Sequence, residues 1–523
     1  MLSAAMCVGA VVLCWILGSP AGAGPDEPSH LVRSAALIRA NTDGVLSGTM
    51  SAGPVLPTWI GVPDPSCYAL QPYQPASCAA GVSAPAGVVA FVTTATAYPI
   101  WGHLTYGPGT LMPAAVGWWT SRVSGAVLPV VLVAWALTIA RQRTGRLGAS
   151  GVLLALTPMA WFSMAVVNPS ALVIAGGVAM GVGLLRLRDQ PGTAWLAACG
   201  WAAMVLPRRD GLVWACAMLV LVVVFSDRIQ TRSLRTLTRV QLVVVCGSTV
   251  AAMAYGLLSR AEASSTVIIP PIATAAFLGI WSQRHRWNLA RARTTAGIVG
   301  VVVIGLGMLW WFIDRQADGR FGSTLFVRMV SGTGENLTEA IGVLGWLDTP
   351  VPTSFVLLWT LGLGVLCAVS LVVDDRRDLA MAGSAVVVAV VASYVIEASQ
   401  GVENNWQGRY YLPLLVLAPI VLGGIELSAD LAIRFARVVA VVSVVVLNAS
   451  YVAALRRWAV GLDGTFNPLR WDTYDSPLPP LVLICAHLVA TWFLLSWAVG
   501  EVPSVVADSV TAPPDAESSR DRG

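Results

Sequence analysis

The sequence predicts an all-α, polytopic integral membrane protein with about fourteen transmembrane helices and a long first outer loop. Three observations predict it. Hydrophobic residues make up 56% of the 523-residue chain and charged residues only 11%, a balance foreign to ordinary soluble domains. Apolar runs nearly free of charge recur from one end to the other, most of them long enough to cross a hydrocarbon core as a helix. The arginines gather in alternate loops, the asymmetry that cytoplasmic loops carry.

The first run, Met1 to Ala23, ends in the small residues Ser19-Pro20-Ala21-Gly22-Ala23 but has no basic stretch ahead of it. It reads as a retained signal anchor, not a cleaved signal peptide. Further spans are expected at 122–140, 149–167, 169–186, 193–207, 211–226, 240–258, 266–282, 295–313, 353–373, 380–397, 411–428, 438–455 and 481–499. Arginine-dense loops at 141–146, 186–188, 228–239, 284–293, 376–377 and 434–437 mark the cytoplasmic side and place both ends of the chain inside, in the plasma membrane. The chain divides into a membrane domain over 1–455, an outer loop and last span over 456–500, and a tail over 501–523. That tail is rich in Pro, Ser, Asp and Arg and is expected to be disordered. The net charge of +4 is spread over many loops and offers no footprint for nucleic acid.

The first outer loop, 24–121, opens on Pro25-Asp26-Glu27-Pro28-Ser29-His30-Leu31-Val32-Arg33. Asp26 or Glu27 suits the N-cap of a short helix and Pro28 its first turn. Helical spacing then puts His30 and Arg33 on one face near the acids, with Leu31, Ala35 and Ile38 on the other. The corner reads either as an acid pair at a membrane-surface active site or as the cap of an interfacial helix. A Gly/Pro/Ser-rich stretch follows with Cys67 and Cys78, whereas the other seven cysteines lie in apolar segments. In an oxidising compartment a bridge between these two would staple the loop, worth about 3 kcal/mol in the loop-entropy model. Residues 86–119 are apolar but carry Pro99, Pro108 and Pro113 among six aromatic residues. Counting 86–102 as a span would put Arg141, Arg143 and Arg146 outside, so the stretch is expected to form interfacial or re-entrant helices.

On this topology the unusual polar residues collect on the outer face. Asn168-Pro169-Ser170 and Pro207-Arg208-Arg209-Asp210 are turns between spans. Charges there face water, a partner or an anion, or the Arg–Asp pair merely caps two helix ends. The loop 314–352 contains Glu335 and Asn336 and closes on Gly345-Trp346-Leu347-Asp348-Thr349-Pro350-Val351-Pro352, where Asp348 reads as a turn or N-cap residue or as a supporting site residue. The densest set is Gln400 to Pro413. There Arg409 stands at an outer span end, its planar fork suited to phosphate oxygens, with Trp406, Gln407, Tyr410 and Tyr411 around it. The alternative is an arginine that snorkels to lipid headgroups.

Acids suit a base that deprotonates an acceptor hydroxyl, and arginines suit a phosphate leaving group. Together they fit glycosyl transfer from a lipid-phosphate sugar. No Gly-rich nucleotide loop is present, which disfavours a soluble nucleotide donor. No cofactor is expected and no metal. Asp26, Glu27 and His30 are available to a divalent cation but do not complete a ligand set on sequence grounds.

Three motifs in this order, Pro-Asp-Glu-Pro-x-His, Gly-Trp-Leu-Asp-Thr-Pro-x-Pro and Gln-Gly-Arg-Tyr-x-Leu-Pro, resemble the bacterial membrane family known as domain of unknown function 2142. The resemblance covers residues from about 20 to 455. It implies a C-type glycosyltransferase-like fold that uses a polyprenyl-phosphate sugar and has a membrane-adjacent acid in its first outer loop, with Asp26 or Glu27 as base. The leading expectation is therefore a membrane glycosyltransferase transferring a hexose or pentose to an envelope glycan, lipid or protein on the outer face. Arg409, Arg208 and Arg209 are expected to hold the phosphate. His30 and Arg33 would orient the base, with Asn168 and Asp348 in support and Gln407 and Tyr410 lining the pocket. The alternatives are a transporter or flippase of a lipid-linked glycan and a non-catalytic envelope-assembly protein.

Overall fold

The apolar runs fold as helices, and particular residues decide where they break. The computed structural model describes residues 1–40, 55–57, 60–79, 88–90, 93–187, 190–225, 238–258, 264–282, 323–373, 375–400, 407–471, 474 and 476–500. The helices are α1 (Leu2–Gly18), α2 (Glu27–Ile38), α3 (Ile100–Leu104), α4 (Ala114–Ala155), α5 (Pro158–Ala165), α6 (Ser170–Arg186), α7 (Ala194–Val205) and α8 (Gly211–Phe225). They continue as α9 (Arg239–Leu258), α10 (Ser264–Ser282), α11 (Ser323–Gly342), α12 (Thr353–Val372), α13 (Arg376–Gln400), α14 (Leu412–Leu415), α15 (Leu417–Gly423), α16 (Ala429–Val460) and α17 (Pro480–Val499). Two short antiparallel pairs join β1 (Val55–Pro57) to β2 (Val88–Ala90) and β3 (Val343–Leu344) to β4 (Thr349–Pro350).

Among the described residues, six helical segments are long and apolar enough to cross a membrane: Val116–Gln142, Arg239–Leu257, Thr353–Val372, Arg376–Tyr394, Ala429–Val460 and Pro480–Val499. A bent pair, Gly145–Ala155 with Pro158–Ala165, makes a seventh if it is one span. This is a multi-pass membrane architecture. The expected fourteen spans resolve differently. Leu2–Gly18, Ser170–Arg186, Gly211–Phe225, Ile268–Gly279 and Leu412–Gly423 are apolar but only 10–17 residues long, and α7 has 12. The expected span 295–313, the tail 501–523 and most of the arginine sets 228–239 and 284–293 lie outside the described residues.

The breaks have causes in the sequence. Expected span 149–167 bends by 67° between α4 and α5. Thr157 accepts the Ala160 N–H as an N-cap and Pro158 opens α5, and the residue before a proline is driven out of the helical region. The expected loop at 141–148 is instead a kink inside α4 at Gly145, whose φ of +66° suits glycine. Among the described residues of 86–119, no helix before α4 is long enough to cross a membrane, and the first of the long apolar segments already begins at Val116. The described residues fold as β2, a 3₁₀ turn at Thr94–Ala97, α3, a 3₁₀ turn at Gly107–Leu111 and the start of α4. Pro99 and Pro113 stand at the N-caps of α3 and α4, and Pro108 lies in the first turn of the second 3₁₀ segment.

The main core gathers the buried faces of α1, α4, α5, α6, α8, α16 and α17. α6 and α7 approach so closely that a Cβ on Gly200 would lie 2.4 Å from Met180 N, the small-residue packing that membrane helices use. On the loop side, Arg457 of α16 is fully buried. Its Nη2 donates to Asp348 Oδ2 at 2.7 Å and to the carbonyls of Tyr68 and Gln71, and its Nη1 to that of Gln74. Those carbonyls lie within the loop closed by the Cys67–Cys78 disulfide. Asp348 also accepts the Leu70 N–H and the Thr349 hydroxyl. Pro352, not Asp348, occupies the N-cap of α12, so Asp348 is a clamp on the disulfide-closed loop.

Replacing Asp348 with Ala leaves the Arg457 charge buried without its counter-ion. The expected loss is about 3–5 kcal/mol, measured as a fall in Tm in detergent. The double variant Asp348→Ala/Arg457→Met is expected to recover much of it. A single variant as stable as the parent would show that this clamp is dispensable.

Candidate functional site

The two acids of the first corner have different fates. Glu27 opens α2 and is 3% exposed. Its Oε1 accepts from Arg122 Nε at 2.7 Å and from the Val167 N–H, and its Oε2 from Arg122 Nη2 at 2.7 Å and the Gly24 N–H. The remaining Arg122 N–H groups go to the carbonyls of Ile16, Ser19 and Pro20, with the guanidinium 4.6 Å from the Trp118 ring centre. Both carboxylate oxygens are thus spent on donors. This is the geometry of an anchor, in contrast to an open base.

Asp26 occupies the N-cap of α2 at φ +59°, yet its side chain makes no capping bond. The carboxylate remains open, 39% exposed, with Oδ2 4.0 Å from Arg409 Nη2. Arg409 itself is 2% exposed. It rides on a 3₁₀ turn, Gly408–Tyr410, that lies flat on α11. The Gly408 N–H donates to Glu339 Oε2 at 2.8 Å, and a Cβ at 408 would sit 2.2 Å from Asn336 O. Glycine is therefore required by close approach. Arg409 Nη2 donates to the Tyr410 hydroxyl, but Arg409 Nε and Nη1 are buried without a hydrogen-bond partner, as is Gln407 Oε1. Trp406 lies outside the described residues.

Arg208 completes the charge set. Its Nε donates to Asp210 at 2.9 Å and its Nη1 to Ser170 Oγ at 3.1 Å. Its guanidinium lies 4.3 Å from the Tyr410 ring centre and 5.2 Å from that of Tyr98. Asn168 shapes this turn: its Oδ1 accepts the Ser170 N–H and its carbonyl accepts the Tyr106 hydroxyl. The contacts close into a circuit. Asp26 lies one turn before His30 on α2, and His30 meets the Tyr98 ring at 5.0 Å. Tyr98 meets Arg208, Arg208 and Arg409 share the Tyr410 ring, and Arg409 returns to Asp26.

Two expected supports, Arg33 and Asp348, and one expected phosphate-binding residue, Arg209, have other contacts. Arg33 donates to the Tyr98 carbonyl and to Tyr255 Oη, and so braces Tyr98. Arg209 opposes the charge of Arg33 and lies in that neighbourhood. Asp348 is committed to Arg457. His30 does not orient a carboxylate either, since its Nδ1 lies 3.0 Å from His103 Nε2. Asp26, Glu27 and His30 therefore do not converge as metal ligands, and no group of three or more His, Cys, Asp or Glu gathers among the described residues. Sequence reasoning missed Arg122, Tyr98, His103 and Glu339. Arg122 carried a usable signal, being a lone arginine at the end of an apolar run, as Arg409 is.

Burial, then the Gly408 N–H and the neighbouring charges, act on Glu339, and burial wins to raise its carboxyl above the usual range. Burial, followed by Arg33, holds the His103 imidazole down to about 3. Burial, then His103, Arg409, Arg208 and Arg33, holds His30 well below its ordinary value. The site thus combines an open carboxylate, a buried cation with unmatched N–H groups, and neutral imidazoles. It is equipped to hold an anion and to accept a proton beside it.

The family described as "Predicted membrane protein (DUF2142)" matches residues 10–267 and 320–418. No curated protein matches the sequence. Among solved structures, the chain is similar to ArnT from Cupriavidus metallidurans bound to undecaprenyl phosphate, at TM-score 0.39 and 16% identity, covering 94% of this chain and 76% of that one. It is also similar to the archaeal oligosaccharyltransferase AglB from Archaeoglobus fulgidus, in complex with an inhibitory peptide and a dolichol-phosphate, at TM-score 0.44 and 12% identity. That match covers 95% of this chain and 55% of AglB. ArnT in the apo state gives TM-score 0.37 at 15% identity, with 94% and 76% covered.

Two outcomes test this geometry. Glu27→Gln is expected to lower Tm sharply, because it leaves Arg122 buried beside a neutral amide, whereas Asp26→Asn leaves Tm nearly unchanged. Equal effects would contradict the division between anchor and open acid. The neutral imidazole of His103 predicts a pH dependence. Its pKa falls from 6.5 to about 3 on folding, so the unfolded chain binds more protons between those values. Its contribution to stability is full above pH 6.5 and is lost as pH falls towards 3. A thermal melt of His103→Gln against pH is expected to show a shallower acid limb than the parent.

Proposed function

The chain belongs to the DUF2142 family of predicted membrane proteins, and we propose that it is an integral membrane glycosyltransferase. It moves a sugar from a polyprenyl-phosphate donor to a cell-envelope acceptor on the outer face. The observation that carries this reading is Arg409: a buried guanidinium with two unmatched nitrogens, Nε and Nη1, next to an open carboxylate. Such a cation is costly alone and is completed by an anion that brings paired oxygens. A phosphate does so, and Arg208 adds a second positive group across Tyr410.

In the step that this arrangement suits, Asp26 takes the proton of an acceptor hydroxyl. The acceptor oxygen forms a bond to the anomeric carbon of the donor. The bond from that carbon to the phosphate oxygen breaks, and its electron pair leaves with the polyprenyl phosphate. Arg409 and Arg208 hold the charge that develops there. With two guanidinium groups supplying that charge, the reading calls for no divalent metal. The arginine asymmetry supports an outer location for this end. Arg141 and Arg146, assigned to the inner side, bond the carbonyl of Gly500 at the end of the last span.

One observation favours a second reading, a flippase for a lipid-linked glycan. His487 is an ionisable residue within α17, buried against Asn448 and stacked on Tyr451. Ionisable residues within membrane spans mark substrate and proton paths in transporters.

Reconstituted protein with a radiolabelled polyprenyl-phosphate hexose and an envelope acceptor fraction tests both. Asp26→Asn is expected to bind donor normally and to lose about 10²–10⁴-fold in transfer. Arg409→Gln is expected to lose donor binding, and chelator is expected to change nothing. Full transfer by Asp26→Asn would remove Asp26 as base. Movement of intact donor across the bilayer, with no new glycosidic bond, would favour the flippase.

A further inference from the structure

Two of the chain's four histidines touch one another beside the site. His103 Nδ1 lies 3.1 Å from the carbonyl oxygen of Pro99, and His103 Nε2 lies 3.0 Å from His30 Nδ1. A carbonyl only accepts, so His103 carries its proton on Nδ1. A neutral His103 then has a bare Nε2. The proton in the contact between the rings belongs to His30 Nδ1, and a neutral His30 is left with a bare Nε2. This tautomer is fixed by the hydrogen-bond network alone.

The bare nitrogen of His30 has no hydrogen-bond partner among the described residues. Unlike Arg409 Nε and Nη1, it is not one of the enclosed unmatched atoms, so the ring's 1% exposure includes it. His30 shares the Tyr98 ring with Arg208 and stands one helical turn from Asp26. Three arginines, Arg409, Arg208 and Arg33, oppose a positive charge on it. Its lone pair repels phosphate oxygens and asks for a donor. The arginines disfavour an ammonium donor. A neutral hydroxyl meets both conditions.

We propose that His30 Nε2 accepts a hydrogen bond from a sugar hydroxyl of the bound donor, and that His103 is the positioning residue that locks His30 in this tautomer. The proposal rests on the glycosyl-transfer reading and adds to it a substrate feature: a sugar with a hydroxyl, not an amino group, at the position facing α2. His30 orients the sugar while Asp26 takes the proton.

The test is NMR on full-length protein in nanodiscs with ¹⁵N-labelled histidine. From about pH 5 to about pH 8, His30 is expected to show a protonated Nδ1 and a bare Nε2. A short-chain prenyl-phosphate hexose is expected to shift the Nε2 resonance, and the same prenyl phosphate without sugar is expected to leave it in place. His103→Phe is expected to weaken binding of the hexose donor about fivefold, the worth of one neutral hydrogen bond, and to leave prenyl-phosphate binding unchanged. His103→Gln, whose amide oxygen still accepts from His30, is expected to restore binding and keeps the question open to measurement if His103→Phe does not fold. A proton on His30 Nε2 overturns the proposal. So does Arg409-dependent binding of the hexose donor with no shift at Nε2, or an equal shift with both ligands. Failure of both ligands to bind removes the glycosyl-transfer reading itself, and this proposal with it.

Discussion

Glu27 and Arg122 form the contact on which the rest of the site depends. The carboxylate and guanidinium meet side by side with no solvent around them, and every remaining oxygen and N–H is matched by backbone. Those backbone partners come from the end of α1, the turn after it and the junction of α5 with α6. One ion pair therefore ties four separate parts of the chain to the first turn of α2. Burying two charges carries a heavy desolvation cost, offset only when geometry and hydrogen bonding are this complete. The return is positional. With Glu27 fixed, Asp26 one residue earlier has a fixed place too.

Besides the local Arg208–Asp210 pair, three acid–arginine contacts between distant parts of the chain can be ranked by how much of their bonding capacity they use. Glu27–Arg122 is saturated. Asp348–Arg457 is nearly so, wrapped by carbonyls of the disulfide-closed loop. Asp26–Arg409 is different: the atoms are 4.0 Å apart, the acid is partly open, and two nitrogens of the arginine go unused. The first two have the completeness that structural charges need inside a protein. The third has the incompleteness that leaves room for a ligand. Charge content alone would not separate these pairs, and hydrogen-bond accounting does.

Much of this was legible in the sequence, and what was not has physical reasons. Apolar runs and arginine asymmetry indicate a multi-pass membrane protein, because hydrocarbon thickness and loop charge act locally along the chain. The polar motifs indicate Asp26, Arg208 and Arg409, since charges at span ends stand out against an apolar background. Helix boundaries were less legible: Thr157-Pro158 and Gly145 break or kink segments that hydropathy reads as continuous or as loops. Neighbouring acids were not separable at all. Asp26 and Glu27 are adjacent and chemically alike, and only Arg122, 95 residues further on, tells them apart. Tyr98 and His103 read as membrane-surface residues because nothing local says that their partners come from α2 and from the turn before α8.

The bare backbone at Gly408 has a consequence for motion. With no side chain between them, the turn and α11 touch main chain to main chain near Asn336 and Ala340, with Glu339 as a latch. The arginine's address is thereby inherited from α11 and not from the short apolar helices that follow it. A shift or tilt of α11 would carry the cation along as rigid cargo and change its separation from Asp26, which is moored to α2. The gap between Asp26 and Arg409 is in effect a gauge of the distance between two helices.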